Sequence, residues 1–374
     1  MYTLRLINFP LNKELKEIYL FLTIKSLALS MFGIFIPLYL LIDLGFPLKS
    51  VLLFFIIAEV VWILSSFFSG KVLARIGAKH TILLGVFLTI VYLMFLVTMK
   101  QGILPYFYLA AFFDGISASL YWMGFHANFV RSSHRKYRGQ EASIWMVIPK
   151  GINLFGPILG GLILTFFSFE SLFILVSILM IFSTIPLFLS RDVFKRYHYD
   201  YKKIFGRIKL KESLGLFGMG IRARSFTLLW PIFVFFILGT FLSLGSLFSF
   251  ATLLGVVFFI IVGRWSDKVD KRTLISAGSI MHSFTWFVRT PIQTALQVFS
   301  IASLDMITSA VILVPFDALS YDRAAEGNPI EYIAFREIIL HMGALFLLVF
   351  MLFIQSFSAA FILTGLSSLL LIFF

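Results

Sequence analysis

Long uninterrupted apolar segments recur along the whole chain, and they constrain its fold more than any other feature. A helix needs roughly 20 apolar residues to cross a bilayer core of about 30 Å. Segments that meet this requirement cover residues 18–42, 50–69, 81–99, 105–130, 142–166, 171–189, 226–244, 247–263, 273–293, 295–320, 330–354 and 358–374. The segments are continuous and lack the period-two alternation of a transmembrane barrel, so helices are expected. We therefore predict an all-α membrane protein with about twelve transmembrane helices.

The composition agrees with a membrane protein. Hydrophobic residues make up 60% of the chain and charged residues only 13%, which leaves too little polar surface for a soluble protein of this length. There is no cysteine, so disulfides and thiolate metal sites are excluded. The first apolar run is too long for the core of a signal peptide, and it is expected to stay as an uncleaved first helix.

The formal net charge of +13 is distributed according to membrane topology. The N-terminus and every second gap between the predicted helices hold 25 of the 31 Lys and Arg residues. The positive-inside rule then places both termini and these gaps in the cytoplasm. Topology explains the charge, so no nucleic-acid partner is expected. The basic stretch from Arg191 to Lys211 is interpreted as a connector, with contact to anionic lipid as the alternative.

Six basic residues lie elsewhere. Lys49, Lys100 and Arg289 are expected in gaps on the side opposite to the cytoplasm, and Lys25, Lys150 and Arg336 fall inside predicted helices. The gaps on that opposite side are very short, which leaves no room for an extracellular domain. Any function must therefore be carried by the helix bundle.

Two related halves are indicated by an internal repeat. The turns Gly70–Lys79 and Gly263–Arg272 are both basic, both begin with Gly, and both follow the second helix of a set of six. The first turn begins 44 residues before Asp114, and the second begins 42 residues before Asp305. An in-phase pattern over this distance favours duplication. We predict an N-terminal six-helix half over 1–190, a basic cytoplasmic connector over 191–225 and a C-terminal six-helix half over 226–374.

The two turns resemble the signature loop of the major facilitator superfamily, roughly G-x-L-a-D-R-x-G-R-K. The first copy keeps Gly70, Arg75, Gly77 and Lys79, and the second keeps Gly263, Asp267, Lys271 and Arg272. The first copy has Ala74 at the usual acid, and the second has Asp270 at a usual glycine. The resemblance implies that the residues kept in these turns, among them Gly70, Arg75, Gly77, Gly263, Asp267 and Arg272, take part in gating, and that the two halves gate unequally.

Helix 5 carries a second family feature. Gly156-Pro157-Ile158-Leu159-Gly160-Gly161 is similar to the end of a motif seen in many exporters of the superfamily, although the upstream glycine spacing differs. Small residues also let helices approach closely, and ordinary helix packing is therefore the alternative to an antiport role. The motif favours export only slightly.

Ionisable side chains within the predicted helices are the candidates for a substrate or proton pathway. A charge near the bilayer centre costs at least ~2.5–3.5 kcal/mol, so such residues usually face a bundle interior or a wet cavity. The candidates are Glu59, Asp114, Lys150, Asp305, Arg336, Glu337 and His341. Glu337 and His341 are four residues apart and share one helical face. The alternative is structural ion pairing between helices, for instance of Asp114 with Lys150.

An aromatic cluster near the inner end of helix 4 offers a candidate cavity mouth. Trp122 and His126 are four residues apart and share a face, and a histidine can titrate near neutral pH. Anchoring at the membrane interface is the alternative reading of these residues.

The resemblance and the buried charges together predict a secondary transporter. It is expected to move a small solute by alternating access, with protons as a candidate coupling ion, as a multi-pass monomer among the lipids of the plasma membrane. No catalytic arrangement, phosphate-binding loop or metal pair is found in the sequence, so no cofactor and no enzymatic activity are expected. An intramembrane lipid-modifying enzyme and a non-transporting sensor or scaffold on a carrier fold are the alternatives.

Overall fold

The computed structural model describes residues 13–100, 102, 104–133, 147, 149, 151–189, 199–206 and 209–374. The chain folds there into helical spans joined by short turns, and these described residues include no strand. The helices are α1 (Lys13–Phe32, continued by irregular helical turns to Asp43), α2 (Leu48–Ile76), α3 (Ala78–Met99), α4 (Leu104–Ser132), α5 (Gly156–Phe166), α6 (Phe169–Thr184), α7 (Leu210–Arg224, continued to Leu238), α8 (Phe241–Ser266), α9 (Lys271–Val288), α10 (Ala295–Ala325), α11 (Pro329–Ile354) and α12 (Phe357–Ser368). The connector contributes one helical turn, Lys202–Phe205.

The prediction of an all-α membrane protein with about twelve helices is confirmed. Eight of the described spans are long and apolar enough to cross a membrane, and two shorter apolar helices end at Phe166 and Phe373. The more polar α4 and α9 bring the described spans to twelve.

Helix packing repeats between the first six helices and the last six. In the first half α4 packs on α2 and α3, and in the second half α10 packs on α8 and α9. The halves meet along two broad contacts, of α2 with α11 and of α5 with α8. A shift of six helices relates each of these six contacts to another of them. The two halves are therefore joined by α2 and α5 of the first and by α8 and α11 of the second.

The two repeated turns join their helices with different residues at the same position. Gly77 ends α2 with a φ of 84°, a conformation that glycine adopts without strain. The second turn has Asp270 at the corresponding place, and its carboxylate caps α9 by accepting a hydrogen bond from the Thr273 backbone N–H at 3.0 Å. An aspartate is a good N-cap residue, so the departure from the family pattern has a structural reason. We call the end of the bundle with these turns the basic end, and the other the opposite end.

The predicted start of the seventh helix at residue 226 is wrong, because α7 begins at Leu210. Charged residues lower the hydropathy of this first part of the helix, yet Glu212 and Arg222 are buried in the protein interior. Glu212 accepts a hydrogen bond from the Tyr332 hydroxyl at 2.7 Å and pairs with Arg323 at 2.9 Å. A π-helical turn, Ser225–Leu229, precedes Trp230-Pro231, where the helix loses a backbone donor.

At the opposite end, Lys100 joins three elements of the first half. Its ammonium lies 2.8 Å from the Glu170 carboxylate and 3.5 Å from that of Asp43. The hydrogen bond to Glu170 raises the pKa of Lys100 above its ordinary value. Lys100 is half exposed, so the ion pairs position the ends of the helices more than they stabilise the fold.

Candidate functional site

A cavity of about 420 Å³ lies at the centre of the bundle, between the two halves. Its wall combines α2 and α4 of the first half with α7, α10 and α11 of the second. Three guanidinium groups and three carboxylates line it, together with two histidines and several aromatic side chains. The charged and aromatic lining residues are Glu59, Trp62, Trp122, His126, Arg222, Arg224, Phe316, Asp317, Arg336, Glu337 and His341.

Glu59 forms the centre of a network that joins the halves. The residue is fully buried on α2. Its carboxylate accepts a hydrogen bond from the Arg224 guanidinium of α7 and lies 2.6 Å from Nδ1 of His341 on α11. The His341 ring stacks on Trp62, with the ring centroids 3.7 Å apart. A single carboxylate from the first half thus holds two helices of the second half.

A second network surrounds Arg336 on α11. The guanidinium donates to the Asp317 carboxylate at 2.8 Å and to the Glu337 carboxylate at 2.6 Å. Nη1 of Arg336 lies 3.1 Å from Nε2 of His126, on α4 of the first half. Because Arg336 donates, this nitrogen accepts, and Nδ1 of His126 then donates to the Tyr321 hydroxyl at 2.7 Å. The network therefore closes a contact between the halves on the side of the cavity nearer the basic end.

The structure brings together most of the residues singled out as pathway candidates. Glu59, Arg336, Glu337 and His341 line one cavity, and so do Trp122 and His126, whose rings stack at 5.1 Å between centroids. His341 lies 3.6 Å from Glu337, as their spacing on one helical face predicts.

The remaining three pathway candidates lie elsewhere. Asp114 is half-buried on α4 and does not line the cavity. Asp305 is fully buried behind the cavity wall, within the second half. Lys150 lies outside the described residues, so its place on the pathway, or in an ion pair with Asp114, stays a prediction.

Arg289 follows the last residue of α9 at the opposite end, and it pairs with Asp305. Both side chains are fully buried, and the guanidinium donates to the carboxylate. The guanidinium also lies between two indoles, 4.3 Å from the Trp230 ring and 3.7 Å from the Trp286 ring. Cation–π contacts and the carboxylate compensate for the burial of the charge. The sequence shows only a basic residue near the end of an apolar run, so this pairing could not be recognised.

Arg222 and Arg224 were missed as site residues. The sequence pattern assigns both to the connector, because it predicts a helix that begins only at residue 226. In the structure they lie on α7 and line the cavity. The preceding pattern Gly-Leu-Phe-Gly-Met-Gly was an available signal, since small residues at close spacing are typical of helix contacts in membranes. A Cβ on Gly220 would lie 1.7 Å from the Leu340 carbonyl oxygen.

The gating candidates lie at the basic end. Gly70 packs against the connector and α11, since a Cβ there would lie 2.5 Å from the Tyr199 ring and 3.0 Å from Ile330. The Tyr199 hydroxyl donates to the Phe67 carbonyl at 2.8 Å. Of the other candidates, Gly77 and Gly263 are buried, Arg75 and Arg272 are exposed, and Asp267 follows the last residue of α8. The first signature turn is thus held against the second half and the connector.

The glycines of α5 are close-contact positions. A Cβ on Gly156 would lie 1.8 Å from the Ser30 hydroxyl, and one on Gly160 would lie 2.0 Å from the Met31 carbonyl oxygen. A Cβ on Gly161 would lie 2.7 Å from the Phe241 carbonyl oxygen of α8. Pro157 is buried among them. Close helix packing at the opposite end of the molecule therefore explains why this motif consists of small residues.

Two comparisons with known proteins, one with family models and one with solved structures, agree on the fold. Residues 18–240, more than half of the chain, match the sequence model of the Major Facilitator Superfamily. Among solved structures, a variant of the E. coli fucose:proton symporter FucP is similar with a TM-score of 0.69, 9% identity and 96% of each chain covered. The human organic anion transporter MFSD10 (TETRAN) is similar with a TM-score of 0.67 and 12% identity, covering 98% of this chain and 99% of that one. FucP in the outward conformation is similar with a TM-score of 0.69 and 10% identity, with 96% of each chain covered. No curated protein sequence matches the chain.

Proposed function

Because this chain belongs to the major facilitator superfamily, we propose that its central cavity carries a small solute across the membrane by alternating access and couples that movement to protons. Family and fold indicate a secondary transporter of small solutes rather than an enzyme. Alternating access means that two halves rock about a site near the bilayer midplane. The cavity between α2, α4, α7, α10 and α11 is the candidate for that site.

The observation that carries the proton coupling is the position of Glu59. This carboxylate is fully buried in a membrane helix, and its two partners, Arg224 and His341, both belong to the other half. Protonation of Glu59 would remove the charge that attracts Arg224 and would loosen the contact between the halves. Two other acids are near: Glu337 lies 3.6 Å from His341, and Asp114 is on α4, where Gly115 packs on the Ala58 carbonyl beside Glu59.

Symport is the direction of coupling that this arrangement favours. A protonated Glu59 leaves Arg224 with an uncompensated positive charge inside the cavity, which an anionic solute can neutralise. Proton and anion would then bind in the same state and move the same way, which is uptake when protons flow inward. The export predicted from the Gly156–Gly161 motif is the competing outcome. Packing accounts for these glycines, so they do not support export further.

The surroundings of the protein are part of the proposal. We place the protein in the plasma membrane. The distribution of basic residues supports both termini in the cytoplasm, so the basic end would face the cytoplasm. A monomer is sufficient, because both walls of the cavity come from one chain. Lipid is then the partner of the outward-facing apolar side chains.

Flux into proteoliposomes tests the proposal. Purified protein is first screened for thermal stabilisation by a panel of metabolites and drugs, and the ligands that stabilise it are tested for transport under an inward proton gradient. We expect the gradient to drive accumulation in the wild type, and Glu59→Gln to exchange solute at equal concentrations without accumulating it. Transport that ignores the pH gradient, or Glu59→Gln vesicles that still respond to it, would refute coupling through Glu59.

A further inference from the structure

Arg222 differs from the other two arginines of the cavity in the charge of its partners. Arg224 pairs with Glu59, and Arg336 pairs with two carboxylates. Arg222 is buried, and among the described residues its guanidinium contacts only neutral groups: Nε2 of His282 at 2.7 Å, the Ser309 hydroxyl and the Met219 sulfur at 3.9 Å. A thioether is a weak acceptor, so Nη1 of Arg222 retains most of its capacity to bind a ligand.

His282 fixes the orientation of this guanidinium. Its Nε2 accepts from Nε of Arg222 at 2.7 Å and from the indole N–H of Trp286 at 2.9 Å, so it carries no proton. The histidine is therefore neutral, and its Nδ1 can donate to the Thr308 hydroxyl at 2.9 Å. His282 is fully buried. It acts as a positioning residue that adds no charge of its own.

The described charged groups behind the cavity wall, together with Arg222, carry a net charge of +1. Asp305 accepts from Ser309 at 3.3 Å and from Arg289, which makes it the only carboxylate among the described partners of this cluster. Arg222 and Arg289 together carry two positive charges against that single negative one. Arginine cannot lose its proton inside a protein, and a charge in the membrane interior needs a partner. A ligand that enters the cavity with a negative charge would provide this partner.

The rest of the wall restricts the shape and charge of such a ligand. The indoles of Trp62 and Trp122 and the side chains of Leu313, Phe316 and Leu340 give the cavity an apolar surface. A volume of about 420 Å³ is within the range of small-molecule sites. On the side near the basic end, Arg336 faces two carboxylates, which would repel a second negative charge. The ligand should therefore be singly charged and carry an apolar body.

From these observations we infer that Arg222, oriented by His282, binds the charged group of a singly charged organic anion, such as a carboxylate or sulfonate with an aromatic body, and that this anion is the class of substrate. The inference rests on the proposed function, because it assigns the solute of the same cavity.

Matched pairs of anions and neutral isosteres test this inference. Binding of benzenesulfonate and benzenesulfonamide, and of phenylacetate and phenylacetamide, is measured by calorimetry and thermal shift on the full-length protein in detergent. The wild type is expected to bind each anion more tightly than its amide. Arg222→Gln should weaken the anions roughly tenfold to a hundredfold, the range for a lost charged hydrogen bond, and leave the amides unchanged.

Other variants separate a specific loss from misfolding. Lys268→Gln removes one positive charge from an exposed turn and should bind like the wild type. Arg222→Lys keeps the charge and should retain part of the preference for anions. His282→Gln keeps an acceptor for Arg222 and should preserve the preference, whereas His282→Leu should reduce the ratio of anion to amide affinity without changing amide binding.

Two results would overturn the assignment. One is a wild type with no preference for the anions over the amides, which includes a wild type that binds neither. The other is an Arg222→Gln protein that keeps the preference. Flux of labelled benzenesulfonate into vesicles separates this inference from the proposed function. Arg222-dependent binding without flux would refute transport alone, and proton-driven flux of only neutral solutes would refute the anion site alone.

Discussion

Removing Glu59 should destabilise the protein more than removing Arg224, its partner in the ion pair. A double-mutant cycle can measure this difference. The two residues lie in different halves, and the glutamate is fully buried while the arginine side chain is 15% exposed. Three variants are compared with the wild type: Glu59→Ala, Arg224→Ala and the double variant. The quantity compared is the thermal stability of the purified protein.

Glu59→Ala should be the most destabilising of the three. It leaves Arg224 without a carboxylate partner among the described residues, and a guanidinium cannot become neutral. Removing one member of a buried ion pair costs about 3–5 kcal/mol. Arg224→Ala leaves Glu59 with His341 at 2.6 Å, and the carboxylate can also take up a proton. A cost of about 1–3 kcal/mol, that of an unsatisfied buried polar group, is then expected.

The double variant should resemble Arg224→Ala, because neither a lone charge nor its partner remains. The coupling energy would then equal in size the cost of Glu59→Ala alone, about 3–5 kcal/mol. Unfolding midpoints are measured by tryptophan fluorescence in one detergent at several pH values. Lowering the pH should bring the unfolding midpoint of Arg224→Ala closer to that of the wild type. It should leave the unfolding midpoint of Glu59→Ala unchanged. Equal losses in the two single variants, with a double variant that equals their sum, would refute the ion pair as described.

Two further predictions separate residues that look alike in the sequence. Asp305→Asn should lower the unfolding midpoint far more than Asp114→Asn. The reason is that Asp305 neutralises a fully buried arginine, whereas no described cation pairs with Asp114. Equal decreases in the two unfolding midpoints would contradict this. Gly70→Ala should reduce stability because its Cβ would lie 2.5 Å from the Tyr199 ring, and Tyr199→Ala should restore part of the loss; a double variant no better than Gly70→Ala would show that the ring is not the obstacle.

The number of helices could be predicted from the sequence because each span must satisfy its backbone hydrogen bonds alone. Local hydropathy is enough to recognise such a span when its side chains face lipid. The first half of α7 was missed for the opposite reason. Glu212, Arg222 and Arg224 face other helices, and a hydropathy criterion cannot distinguish a polar face turned inward from a polar loop.

The site could be predicted only in part. Glu59, Arg336, Glu337 and His341 stand out because each is ionisable within an apolar helix. Their partners could not be identified, since Arg224 reaches Glu59 across 165 positions of the chain. The duplication also suggested equal roles for Asp114 and Asp305, but within the described part of the chain only Asp305 of the two has a buried arginine as its partner.

Proton movement that accompanies the solute tests the account most directly. Vesicles containing the protein and an internal pH dye receive, at equal pH inside and outside, a ligand that stabilises the purified protein, and protein-free vesicles give the baseline. The wild type is predicted to acidify the vesicle interior as solute enters, and Glu59→Gln is predicted to exchange labelled solute without moving protons. Solute entry into wild-type vesicles with no change in internal pH, or acidification that persists in Glu59→Gln, would contradict the account.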